Sequence, residues 1–282
     1  MPCFPTLIDA LTAARCRIPV SEARLLLSEV LGQSATWLMT HDDSTLSPAE
    51  GERFADWVER RANGEPVAYL IGKREFYGRD FFVAPGVLIP RPETELLVEA
   101  ADPQVGAGDT AIGASTVLDL GTGSGCIAIS IALENPTARV TAVDQSEFAL
   151  AVAARNATTL GATVGLLESD WFSALAGARF DLIVSNPPYI RADDEHLRQG
   201  DLRHEPHSAL ASGSDGLDAL RLIIGQAPEH LNPGGWLWLE HGYDQAEAVR
   251  ALLRSAGFAD VSSRRDLAGI ERISGGVWAG SA

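Results

Sequence analysis

Apolar and polar positions along this chain follow two different rhythms. Up to about residue 74 the apolar positions recur at helical spacing. Ser21 through Leu31 puts Leu25, Leu26, Leu27, Val30 and Leu31 on one broad face, and Phe54, Trp57 and Val58 share another. Ser47-Pro48-Ala49-Glu50 is a capping box with proline at the first helical position. Asn63-Gly64 is a natural stop. Residues 1–74 are therefore expected to form a small helical domain. Nothing in it carries catalytic chemistry, so its expected task is to select a partner, as appended domains of α/β enzymes often do. Glu75 to Val83 alternates around Gly78 and reads as a β-hairpin within a linker over 75–90. In Ile89-Pro90-Arg91-Pro92-Glu93-Thr94-Glu95, Pro92 can open a helix, and Glu93 and Glu95 read as acids at its positive end.

From about residue 114 the rhythm becomes strand, loop, helix, repeated. Apolar strands are expected at Thr116–Leu120, Ala138–Val143, Val164–Leu167, Phe180–Val184 and Trp236–Glu240, with two more at about 258–265 and 270–278. Helices fall at Cys126–Leu133, Glu147–Leu160 after Ser146, Leu217–His230, and Gln245–Ala256 before Gly257. Asn232-Pro233-Gly234-Gly235 reads as a turn. Such alternation predicts an α/β fold with a mostly parallel sheet covered on both faces. The closing pair, with no helix between, predicts one antiparallel strand at the edge.

The remaining composition narrows the class. The chain has 282 residues, 46% hydrophobic and 21% charged, which excludes a disordered or collagen-like chain. No apolar run approaches the ~20 residues needed to span a bilayer. Met1-Pro2-Cys3-Phe4-Pro5 carries neither a basic stretch nor an apolar signal core, and Cys3, Cys16 and Cys126 are too scattered for a disulfide framework or a zinc site. A reduced, cytoplasmic protein without a metal is expected. Net charge is −16 and Lys73 is the only lysine. A chain with no basic run has little with which to displace the counterions around phosphates, so a nucleic-acid partner is disfavoured.

Two segments carry chemistry. Asp119-Leu120-Gly121-Thr122-Gly123-Ser124-Gly125 lies between a strand and a helix, where glycines let the backbone approach a ligand and helix amides face it. Asp144 ends the next strand, 19 residues past Gly125, where a carboxylate can accept both hydroxyl hydrogens of a ribose. The dinucleotide fingerprint G-x-G-x-x-G would place its third glycine at Cys126, so spacing leans away from a nicotinamide cofactor without settling the matter. The second segment, Asn186-Pro187-Pro188-Tyr189, follows the Phe180–Val184 strand. Its prolines fix the backbone and remove two N–H donors. The Asn186 side-chain oxygen and the Pro187 carbonyl are then two acceptors that match the two hydrogens of a planar NH2 group, with Tyr189 able to lie flat on the conjugated plane. If the strand order reverses beside the first strand, both segments open into one crevice.

The glycine loop, Asp144 and the Asn186–Tyr189 motif together resemble class I S-adenosylmethionine-dependent methyltransferases that act on planar nitrogen. Across almost the whole chain the sequence is most similar to the release factor glutamine N5-methyltransferases, the PrmC/HemK family. The closer likeness rests on the helical zone, Gly72 with the Phe76–Phe82 hairpin, Ile89 to Glu95, Ser169-Asp170-Trp171-Phe172, Glu205-Pro206 and Asp215-Gly216-Leu217. It implies a seven-stranded Rossmann-like methyltransferase domain over 91–282. It further implies that Gly121, Thr122, Gly123, Ser124 and Gly125 border the methionine part of S-adenosylmethionine and that Asp144 holds the ribose. Asp170 would approach the adenine amino group, with Trp171 on the adenine ring. Asn186, which would also border the cofactor, Pro187, Pro188 and Tyr189 would bind the substrate glutamine amide, with Asn186, Pro187 and Tyr189 at the reacting nitrogen.

The mechanism so implied is positioning. Holding nitrogen and methyl in line at ~3–3.5 Å can supply roughly 7–11 kcal/mol at best. The two acceptors stabilise the nitrogen more as it becomes positive. The methylated nitrogen is acidic enough to lose its proton to water or a nearby oxygen, so no dedicated base is required. His196, His204 and His207 are assigned to polar loop surface, in a segment from Ile190 to Ser214 of about 25 residues, longer than ordinary connectors, that reads as a lid or binding loop covering the glutamine. The implied reaction is methylation of the glutamine in the Gly-Gly-Gln tripeptide of class 1 release factors, modulating translation termination. A DNA or RNA amino-methyltransferase shares the Asn-Pro-Pro-Tyr signature but is opposed by the charge. A nicotinamide oxidoreductase is opposed by the glycine offset, and a noncatalytic nucleoside-binding module would leave the acceptor cage without a purpose.

Overall fold

The computed structural model describes residues 6–101 and 116–280, so Cys3 and the first five residues lie outside it. The chain divides into two compact units. One comprises Met1–Lys73 with Gly200–His204, the other Arg74–Gln199 with Glu205–Ala282.

The first unit is helical: α1 (Leu7–Ala14), α2 (Val20–Leu31), α3 (Ala35–Thr40), α4 (Pro48–Ala62) and α5 (Val67–Ile71). Its core gathers Leu7, Leu26, Leu27, Phe54, Trp57 and Leu70. The capping box forms as read: the Glu50 amide donates to Ser47 Oγ, and Glu50 Oε2 accepts the Ser47 N–H at 2.8 Å. One expectation fails in detail. Leu25 is 44% exposed, because three consecutive leucines span some 200° of a helix and only Leu26 and Leu27 join Ala23 on the buried side. Within this unit Arg61 holds both Glu22 and Asp201, and Arg203 donates to the Asn63 carbonyl.

The second unit opens with the hairpin β1 (Lys73–Phe76) and β2 (Arg79–Phe82). Tyr77 and Gly78, at φ +50° and +72°, make the two-residue turn whose twist suits a hairpin. A 3-10 turn at Pro92–Thr94 leads into α6 (Glu95–Ala101). Then follow β3 (Thr116–Leu120), α7 (Cys126–Glu134), β4 (Arg139–Asp144), α8 (Glu147–Leu160), β5 (Val164–Glu168) and β6 (Phe180–Ser185). The chain closes with α9 (Asp218–His230), β7 (Leu231–Glu240), α10 (Ala246–Ser255), β8 (Phe258–Arg265) and β9 (Glu271–Trp278).

The seven larger strands form one sheet in the order β5-β4-β3-β6-β7-β9-β8. From β5 to β7 all neighbours are parallel, and β9 pairs antiparallel with both β7 and β8. The antiparallel edge pair is present as expected. The strand that runs against the others stands one place in, with β8 outermost. Two apolar layers cover the sheet, one built around α6 and α7, the other around α9 and α10. Asn232–Gly235 does not separate helix from strand. Phe180 pairs with Leu231 and Leu182 with Trp236, so the turn residues bulge out within β7. Among the described residues no helix is long and apolar enough to cross a membrane.

Candidate functional site

Sequence order reverses beside β3, where β4 lies on one side and β6 on the other, with Leu120 in register with Ser185. Ligands of open α/β sheets bind in the crevice at such a switch point, beyond the carboxyl ends of the strands. Both chemistry-bearing segments begin there.

Past β3 the backbone turns sharply, with Gly121, Gly123 and Gly125 at φ +71°, +56° and +81°. The Gly121 and Thr122 amides both donate to the Val143 carbonyl. Gly125 is needed for a second reason. A Cβ there would stand 2.8 Å from Ile129 Cδ1 and 3.0 Å from Ala153 Cβ, so any side chain would push α7 and α8 apart. Asn156, on α8, ties the loop to the hairpin. Its Nδ2 donates to the Ser124 and Phe82 carbonyls, and its Oδ1 accepts the Phe82 N–H. Asn156 carries no local sequence signal, since its partners lie 32 and 74 residues away.

Under the loop Asp119 is fully buried. Its Oδ2 accepts the Thr122 hydroxyl at 2.6 Å. Burial pushes this carboxyl up to about 7, against the Thr122 hydrogen bond that holds it down. A carboxyl raised in the folded chain favours folding while it is protonated, and that contribution is lost as pH rises through about 7. At about 1.4 kcal/mol per unit the loss is on the order of 2–4 kcal/mol. The ligand-free chain is therefore expected to melt lower at pH 8 than at pH 5, and Asp119→Asn to shrink that difference by about 4–10 °C. Scanning calorimetry at the two pH values measures it; an unchanged difference in the variant would show that Asp119 is not the group responsible.

A cavity of about 430 Å³ opens above these elements. Gly121, Gly123, Asp144, Asp170, Trp171, Asn186 and Pro188 line it. Thr122, Ser124 and Gly125 stand behind the wall and shape the loop. Pro187 and Tyr189 are likewise absent from this lining. Asp144 ends β4 with Oδ2 accepting the Gly123 N–H and Oδ1 the Ser146 N–H, each at 2.9 Å, which leaves lone pairs for a ligand. Trp171 sits at φ +49°, a conformation that costs a non-glycine residue about 1–3 kcal/mol. The Ser169 hydroxyl, donating to the Trp171 carbonyl at 2.7 Å, helps hold it there. A Cβ on Gly121 would lie 3.6 Å from the indole, so the ring stands against the loop.

Several lining residues carry no site signal in the sequence: Gly86, Val87 and Leu88 of the linker, Gln145 and Ser146 after β4, the latter read only as a helix start, and Pro206, read only as part of the family likeness, with Ser208 and Ala209. The last three belong to the returning half of the 190–214 loop. That loop is tied at its base, where Ile190 bridges Ala211 and Ala192 donates to the Gly213 carbonyl. Glu205 locks it to the stretch before α6, since its buried carboxylate accepts the Ile89 N–H at 2.9 Å and pairs with Arg91. His196 and His207 are exposed and His204 is partly buried. The first two therefore lie on the polar loop surface as expected, whereas His204 does so only in part.

The Asn186–Tyr189 motif is held from three sides. Asn186 Nδ2 donates to Thr94 Oγ1 at 3.1 Å, and the Tyr189 hydroxyl donates to Glu240 Oε1 at 3.0 Å. Gln245 Nε2 donates to the Tyr189 carbonyl at 3.0 Å, and a Cβ on Gly216, at φ +78°, would come within 2.3 Å of that oxygen. Burial and the neighbouring Glu240 keep the Tyr189 hydroxyl protonated, well above its ordinary value. In the stretch before α6 the sequence pointed to Glu93 and Glu95 as helix-start acids. Glu95 accepts the Tyr77 N–H at 2.9 Å and Glu93 stands 3.8 Å from Arg272, whereas Thr94 between them reaches the motif.

Residues 6–72 match the family described as PrmC N-terminal domain, and residues 93–204 the methyltransferase small domain. A methyltransferase from Pyrococcus furiosus has a similar fold at TM-score 0.55 and 20% identity, over 80% of this chain and 100% of that one. A 16S rRNA N2 G1207 methyltransferase from T. thermophilus aligns at TM-score 0.52 and 23% identity, over 73% of this chain and 49% of that one. Sequence relatives are much nearer. A release factor glutamine methyltransferase from Bordetella pertussis is 57% identical over 92% of this chain and 95% of its own length. Its counterpart from Pseudomonas aeruginosa is 54% identical over 92% of both. Identity of that order over nine-tenths of both chains, with both domain families matched, places the chain in one family: it belongs to the release factor glutamine methyltransferases.

Proposed function

We propose that the chain transfers a methyl group from S-adenosylmethionine to the side-chain amide nitrogen (N5) of the glutamine in the Gly-Gly-Gln motif of class 1 peptide chain release factors. Family membership supplies the methyl transfer and the release factor glutamine. The finer reading is carried by one observation: Asn186, the first residue of the planar-nitrogen motif, lines the same cavity as the glycine loop and Asp144.

The lining chemistry fits this cofactor. Gly121 and Gly123, without side chains, leave room for the methionine part, the remaining lone pairs of Asp144 suit a ribose diol, and Asp170 beside Trp171 suits an aminopurine. When bound, the cofactor supplies an electrophilic methyl on a sulfonium. The chain's residues do the rest. Asn186 Oδ1 and the Pro187 carbonyl accept the two amide hydrogens, and the Pro188 ring and Tyr189 limit rotation of the amide plane. As the nitrogen takes up the methyl, these two acceptors would stabilise the positive charge that develops on it until a proton leaves to water. The helical domain, residues 1–74, is assigned to recognition of the release factor, 75–90 to a linker, and 91–282 to the transfer itself. The reaction belongs in the cytoplasm, where release factors work.

Transfer of labelled methyl to three acceptors in parallel tests this reading: a class 1 release factor, the same factor with its tripeptide glutamine replaced, and duplex DNA. Label on the first alone is expected, in keeping with a net charge of −16 that repels phosphates. Equal label on the replaced factor, or label on DNA only, would overturn it.

A further inference from the structure

Glu240, the last residue of β7, is 2% exposed and has no role in the mechanism above. Its two oxygens are both engaged. Thr94 Oγ1 donates to Oε2 at 2.7 Å, and the Tyr189 hydroxyl donates to Oε1 at 3.0 Å. Asn186 Nδ2 in turn reaches Thr94 Oγ1 at 3.1 Å. These bonds have a direction. An ionised carboxylate only accepts, so the single Thr94 proton must point at Glu240. The Thr94 oxygen can then only accept from Asn186. Asn186 is thereby obliged to turn its NH2 toward Thr94, which leaves its oxygen, unpartnered among the described residues, for the cavity that the side chain lines.

We propose that Glu240 is a positioning residue: through Thr94 it sets the direction of this hydrogen-bond chain and so holds Asn186 with its acceptor toward the substrate amide, while its other oxygen anchors Tyr189. The inference rests on the reading of Asn186 as an acceptor for that amide. Protonation would reverse it. A neutral Glu240 donates to Thr94, Thr94 turns its proton to Asn186, and the flipped asparagine presents NH2 to the substrate's NH2. Donor then faces donor, and transfer stops.

The surroundings put this reversal within reach of ordinary pH. Burial pushes the Glu240 carboxyl up to about 7, and Glu93 adds to the rise. The Thr94 and Tyr189 hydrogen bonds and Arg272 oppose it. Arg91 acts on the Tyr189 side of the cluster, and the Cys126 thiol nearby, itself raised to about 12, stays neutral.

The test measures kcat at saturating cofactor and release factor from pH 5.5 to 9. Wild type is expected to rise through an apparent pKa near 7 and level off. Glu240→Gln offers one acceptor and one donor where two acceptors are needed, so kcat at pH 8 should fall about 10–100-fold and the acid limb should vanish. The KM for release factor and the Kd for cofactor should stay within about threefold, since neither Glu240 nor Thr94 lines the cavity. Thr94→Val, which cannot relay the bond, should match it. Thr94→Ser, which keeps the hydroxyl, should restore both the rate and the limb. A limb from Asp119 would appear in cofactor Kd rather than in kcat. Should Glu240→Gln, or Thr94→Val if the former does not fold, keep kcat within twofold of wild type with its limb intact, the proposal is wrong while the glutamine reading stands. Label that ignores the glutamine in the wild-type control overturns the reading itself.

Discussion

Asn186→Ala is expected to lower kcat by about 100- to 1,000-fold, the usual cost of removing one preorganised group aimed at charge that develops in the transition state. The physical reason lies in when the interaction matters. An amide nitrogen carries little charge before attack, because its lone pair is spread over the carbonyl. As the N–C bond forms, its hydrogens become more acidic and bind an acceptor more strongly, so the loss falls on the barrier rather than on binding. Alanine also leaves the Thr94 oxygen without its donor. Asn186 lines the cavity, so a weaker cofactor Kd is expected as well, by less than about tenfold. Steady-state rates at saturating cofactor, with calorimetric Kd alongside, separate the two effects. A kcat loss smaller than tenfold would remove Asn186 from the reacting centre.

Asp144→Ala should do the opposite, weakening cofactor binding about 100-fold with a smaller effect on kcat once the site is filled. Two ribose hydroxyls would each lose a charge-assisted bond worth about 1.5–3 kcal/mol gross, part of which water restores. The variant also strips the Gly123 and Ser146 amides of their acceptor, so the loop that should meet the methionine part is less well formed before binding. Tyr189→Ala is the counterpart. Its side chain hangs on Glu240 and does not line the cavity, so cofactor Kd should stay within about threefold while turnover falls at least tenfold. Titration calorimetry on both variants decides the matter. Equal losses of cofactor affinity would contradict the division of labour between the two segments.

Much of this protein is written locally. The Ser47 capping box, the Tyr77-Gly78 turn, the glycine loop and the run from β6 into Asn186-Pro187-Pro188-Tyr189 all depend on residues within a few positions of one another. Steric limits on φ, short-range hydrogen bonds and apolar periodicity act on that scale, so the elements and two of the motifs could be read without coordinates. The same scale explains the errors. Apolar periodicity could not say which of Leu25, Leu26 and Leu27 faces out, and turn chemistry at 232–235 looked the same whether it ends an element or bulges within one.

What remained hidden joins distant parts of the chain. Asn186 meets Thr94 across 92 residues, Thr94 meets Glu240 across 146, and Asn156 holds the glycine loop from 32 away. Threonine, glutamate and asparagine are ordinary residues in ordinary local settings, and nothing near them marks their partners. Only the packing of β7 beside β6, and of the Pro92–Thr94 turn over both, brings a carboxylate, a hydroxyl and an amide into one chain of bonds. The local sequence determined which elements form and which chemistry they carry. The tertiary structure decided which way that chemistry faces, because the direction of a hydrogen bond depends on both partners and the second one lies elsewhere in the chain.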